Sequence, residues 1–129
     1  MWCLARFKWC PLWDIILVQI HLSKGNHNVS RVLRSVKRIL RDASEDEEMS
    51  YYKFRKVVVD LDVIRAFFSE GLPTRRYLDY HLGLLEGLGY LDLFKLGDAR
   101  QSHVYPKLTK KGLKRIGEYD FFRDDLRLK

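Results

Sequence analysis

The sequence predicts a mainly α-helical fold that carries one small β-hairpin. Three observations lead there. Apolar residues recur at helical spacing over most of the 129 positions. Gly and Pro fall between the periodic stretches, at Gly25, Gly71, Pro73, Gly87 and Gly89. Two short stretches, 90–95 and 103–108, read as strands joined by the turn residues Gly97 and Asp98.

Each element has its own warrant. Pro11 suits a first helical turn. Leu12, Ile15, Ile16, Gln19 and Ile20 follow at helical spacing, Leu17 and Val18 widen the apolar face, and Gly25 closes it, so the spacing predicts a helix over 12–24. Asn28 or Ser30 can cap the next helix, 29–42. Its apolar stripe is Val29, Val32, Leu33, Val36, Ile39 and Leu40, and Arg31, Arg34, Lys37, Arg38 and Arg41 take the other faces. Ser44 to Glu48 reads as a solvated acidic linker, or as the first turn of a further helix with Ser44 and Glu47 at capping-box spacing. Residues 49–57 fit helix and strand alike, and Val57, Val58 and Val59 favour a short extended piece. Asp60 or Asp62 can cap a helix through Ser69 with Val63, Ile64, Phe67 and Phe68 buried. Thr74 caps 75–88, where Leu78, Leu82 and Leu85 form the core stripe. Thr109 can cap a last helix from Lys110, with Leu113, Ile116, Tyr119 or Asp120, and then Phe121, Phe122 and Leu126 along it, and Gly117 can interrupt it. This reading divides the chain into an aromatic N-terminal extension with a helix, 1–28, and a domain over 29–129. Met49, the one internal methionine, is an alternative start.

Composition narrows the partners. A hydrophobic share of 47% supplies a core, which argues against wholesale disorder. The net charge of +7 favours a polyanionic partner. That charge is concentrated: Lys95, Arg100, Lys107, Lys110, Lys111, Lys114 and Arg115 stand against Asp98 alone in 94–116. Two cysteines, Cys3 and Cys10, are too few for a disulfide scaffold and point to an intracellular, cytoplasmic setting. No window holds the apolar run that a membrane span needs. The basic stripe on 29–42 can also be read as a membrane-surface amphipath, but its apolar side lacks Trp and Phe, and no membrane partner is expected. Cys3, Cys10, His21 and His27 are spaced too widely for a zinc finger, so no metal and no cofactor is expected. No nucleophile elbow, phosphate loop, dinucleotide fingerprint or metalloprotease motif occurs, so neither an enzyme nor a small-molecule substrate is expected.

The order RAFFSEGLPTRRYLDYHLGLLEGLGYL, hairpin, LTKKG resembles a winged helix-turn-helix, a fold common among small bacterial, archaeal and viral DNA-binding regulators. The likeness covers residues 57–117, with Leu108, Thr109, Lys110, Lys111 and Gly112 matching the entry to the last helix. It implies that 75–88 enters the major groove and that the 96–102 wing meets the backbone. Arg75 and Arg76 then become candidate base readers, with Asp79 and Tyr77 or Tyr80 on the same face and Gly83 allowing close approach. Lys95, Arg100, Gln101, Ser102, His103 and Lys107 are candidate wing contacts, Arg100 foremost. The expected function is sequence-specific binding of double-stranded DNA by a transcriptional regulator. A homodimer is expected, formed through the last helix and the tryptophan-rich start. The alternative is a winged-helix protein-interaction module that binds no DNA.

Overall fold

A computed structural model describes residues 11–46, 48–69, 71–97 and 103–117. Among these residues the molecule is mixed α and β, with five helices and two separate antiparallel hairpins. The helices are α1 (Pro11–Ser23), α2 (Val29–Glu45), α3 (Leu61–Phe67), α4 (Arg75–Gly87) and α5 (Lys110–Arg115). Strands β1 (Tyr51–Phe54) and β2 (Val57–Asp60) form one hairpin, and β3 (Leu91–Leu96) and β4 (His103–Leu108) form the other. No helix among the described residues is long and apolar enough to cross a membrane.

The predicted caps are in place. Asn28 accepts from the Arg31 amide, Asp60 from those of Asp62 and Val63, Thr74 from that of Tyr77, and Thr109 from that of Gly112. Each satisfies an amide that the first helical turn leaves unpaired. Helix α4 ends in a two-bond cap. Gly89, at φ 84°, donates to Glu86 O and Tyr90 donates to Leu85 O, which turns the chain sharply into β3.

Helix α1 is the hub rather than an extension. Leu12, Trp13, Ile15, Ile16, Leu17, Val18 and Ile20 are all buried in one core with residues from α2, β2, α3, α4 and β3 and with Ile116 at the end of α5. A helix that is apolar on nearly every side must be wrapped by other elements, and α1 touches α2, α4, α5, β2 and β4. A boundary at residue 28 would cut this core in two.

Two other expectations are corrected and one is completed. Ser44 and Glu45 form the last turn of α2 and do not cap a new helix. The extended piece expected at Val57–Val59 is strand β2, and the stretch before it, open between helix and strand, supplies its partner β1, with Tyr52 opposite Val59 and Phe54 opposite Val57. Val63 is exposed and Phe67 and Phe68 are half-buried, because α3 is seven residues long and only Leu61 and Ile64 reach the core. The roles given to Cys3, Cys10, Tyr119, Phe121, Phe122 and Leu126 lie outside the described residues.

Candidate nucleic-acid interface

Helix α4 buries Leu78, His81, Leu82 and Leu85, which fixes its opposite side as the open one. Arg75, Arg76, Asp79, Tyr80 and Gly83 lie on that open side. Tyr80 is 54% exposed, whereas Tyr77 is half-buried against Phe68, so Tyr80 is the surface tyrosine. A Cβ at Gly83 would meet nothing within contact range, so the middle of the helix leaves room for a close approach.

The arginine pair is not equivalent. Arg75 Nε donates to both Asp79 carboxylate oxygens, at 3.1 and 3.0 Å, and its Nη1 donates to Ser30 Oγ of α2 at 3.1 Å. Its fork is committed within the protein. Asp79 is Arg75's partner at i,i+4 spacing. Arg76 is exposed and makes no hydrogen bond or ion pair among the described residues. It points from the first turn of a capped helix, where the macrodipole also favours anions.

The β3–β4 register divides the hairpin candidates. Directly opposed residues share a face. Lys95 is opposite Val104, on the face that also carries Leu91, Leu93, Pro106 and Leu108. His103 is opposite Leu96 and Lys107 is opposite Asp92, on the other face with Phe94 and Tyr105. The structure therefore does not gather Lys95, His103 and Lys107 on one surface. The face of His103 and Lys107 mixes polar with apolar residues, and on it Phe94 is 48% and Leu96 56% exposed. Phe94, Leu96, Tyr105 and Lys107 line an open groove together with Ile20, His21 and Leu113. Arg100, Gln101 and Ser102 lie outside the described residues.

Two of the basic residues at the last helix serve the fold. Arg115 pairs with Asp14 at 2.7 Å, and its guanidinium lies 5.6 Å from the Trp13 ring and 5.1 Å from the Tyr90 ring. Burial holds the Asp14 carboxyl above its usual range, against the pull of Arg115. Lys111 donates to Leu88 O at 2.8 Å and sits over Tyr90. The Leu-Thr-x-x-Gly segment is a clamp. Thr109 Oγ1 donates to Gly89 O at 2.5 Å, and Gly112 packs so closely on the Tyr90 carbonyl that a Cβ would collide with it.

Beneath the open face, His81 is fully buried and its Nδ1 accepts from Trp13 Nε1 at 2.8 Å. An acceptor nitrogen is unprotonated, so this imidazole is neutral, and burial lowers its pKa below the ordinary value. The signal was available: His81 lies three residues after Leu78 and four before Leu85, on the core stripe.

No protein-family model matches the chain, and no curated protein or solved structure is similar to it.

Proposed function

We propose that the protein binds double-stranded DNA as a winged helix-turn-helix regulator, with α3 and α4 as the helical pair and β3–β4 as the wing. The observation that carries this is the open side of α4. It is a capped helix that presents Arg76, whose side chain has no partner among the described residues, beside Tyr80 and an unobstructed Gly83. An arginine at that position can make a bidentate contact with guanine in the major groove. Arg75 braces α4 against α2 through Ser30, and Arg76 is the base reader. A homodimer would space two such helices about one DNA turn apart and favour a palindromic site.

The test is a salt titration on random-sequence duplex. The expected result is binding that weakens steeply as salt rises, because phosphate contacts release counterions. Absence of binding at about 50 mM salt, or an affinity flat with salt, overturns the proposal. Selection from random DNA should then return a preferred site, and Arg76→Ala should lower discrimination at one base pair by about 1–3 kcal/mol.

A second reading has an observation of its own. Phe94 and Leu96 stand exposed beside Tyr105 on one hairpin face, which suits a protein partner if no duplex is bound.

A further inference from the structure

We propose that the outer face of α2 is a phosphate track, a second nucleic-acid surface continuous with α4; it rests on the duplex-binding reading above. Arg31, Arg34, Arg38 and Arg41 are all exposed there. Their spacing of three, four and three residues puts them within an arc of about 80° along about 15 Å of helix. One strand of a duplex carries a phosphate about every 3.4 Å, so this length passes about four phosphates.

Among the described residues these arginines, like Arg76, have no internal use, unlike Arg65, Arg75 and Arg115. Arg65 bonds the carbonyls of Ala43, Asp46 and Met49 and the Asp62 carboxylate. Arg75 holds Asp79, and Arg115 holds Asp14. The guanidinium groups of Arg31, Arg34, Arg38 and Arg41 make no hydrogen bond or ion pair among the described residues. Asp42 and Glu45 stand four residues beyond Arg38 and Arg41 and pair with neither. Like charges at i,i+3 and i,i+4 repel along the stripe, which an external polyanion would relieve.

The fold also chooses among polyanions. A membrane-surface helix inserts its apolar side, but Val29, Val32, Leu33, Val36 and Leu40 are buried in the core and nothing is left to insert. The surface is continuous with the α4 site. Ser30, which receives Arg75 Nη1 at 3.1 Å, lies only about 20° around α2 from the edge of the arginine arc. A duplex held at the first turn of α4 can therefore run onto α2.

The experiment compares the full chain with two quadruple variants at Arg31, Arg34, Arg38 and Arg41, all to Gln and all to Lys. Each is titrated with random duplex over a range of salt. Each phosphate neutralised contributes about 0.9 to the slope of log K against log salt, so the Gln variant should lose about 3–4 from that slope and the Lys variant little. Thermal melts report whether both variants fold. A Gln variant that folds and keeps the wild-type slope overturns the track and leaves the α4 reading intact. Equal slopes for the Lys and Gln variants overturn it too, because charge is then not the agent. No duplex binding by the unmodified chain overturns both readings. Unmodified chain that binds phosphatidylserine vesicles or polyglutamate as tightly as duplex overturns the choice of nucleic acid.

Discussion

Helices α1 and α2 are neighbours in sequence, joined through Lys24 and Gly25 at positive φ, yet they are opposites. In α1 the apolar residues reach almost every side and, Leu22 apart, those from Leu12 to Ile20 are in the core; in α2 they form one stripe and the arginines take the outside. The side chains of α1 are tied to distant elements: Trp13 to His81, Asp14 to Arg115, and Gln19 to the Tyr52 hydroxyl at 2.7 Å. The outer arginines of α2 are tied to nothing described. Both helices supply the core, but only α2 keeps a charged outer face; if that face binds nucleic acid as proposed, substitutions should separate stability from binding.

The largest effect should come from Trp13→Ala. It empties a fully buried site and removes the donor to His81. A loss of about 4 kcal/mol in urea unfolding is expected, as for other large aromatic-to-alanine changes in cores. A loss below about 1 kcal/mol would mean that α1 is not the hub.

Gly112→Ala asks how far that rigidity extends toward the β3–β4 hairpin. Its methyl would collide with the Tyr90 carbonyl, a rigid backbone group that cannot swing aside. Overpacking of this kind typically costs about 1–3 kcal/mol. An unchanged urea midpoint would show that the chain relaxes there freely, and that Thr109 and Lys111 alone hold the base of the hairpin.

How much of this the residues announced depended on the range of the interaction. The caps at Asn28, Asp60, Thr74 and Thr109 were legible because a cap involves amides two or three positions away. The open side of α4 followed from Leu78, Leu82 and Leu85. The β1–β2 hairpin was not legible. Its turn uses Arg55 at φ 53°, where Gly or Asn would have given a signal. The tether of Arg75 to Ser30 spans 45 residues and the Trp13–His81 bond spans 68, so neither has a local trace. Division of Lys95 from Lys107 needed the strand register, which a one-residue slip would invert. The central role of α1 was hidden for another reason: an all-round apolar helix shows that it is buried but not by what.

His81 supplies a pH test of the α1–α4 contact. Its folded pKa is lowered, so the folded state resists a proton that the unfolded chain accepts. Above about pH 6.5 both states are neutral and the contribution is whole. As pH falls below that, stability drops toward the folded pKa, with a slope of at most about 1.4 kcal/mol per pH unit from this one group. His81→Gln should be less stable at pH 8 yet lose less on acidification to pH 5.5. Identical pH profiles for the two proteins would show that His81 does not titrate between the folded and unfolded states.

The smallest expected effect is the one that most sharpens the contrast, and its sign is opposite. Arg34 has Arg31 three residues before it, Lys37 three after and Arg38 four after, with no acid at any of these spacings. Arg34→Glu converts three repulsive neighbours into attractive ones. Such pairs are worth about 0.2–0.5 kcal/mol each, so the variant should gain about 0.5–1 kcal/mol at low salt, and the gain should fade as salt screens it. The same change should weaken duplex binding, since it removes one cation from the α2 face and adds an anion. A protein that becomes more stable and binds less well after a single exposed substitution carries a charge arrangement selected for something other than folding. A variant that loses stability would place Arg34 among the tethered arginines with Arg65, Arg75 and Arg115, and the contrast between the two helices would break there.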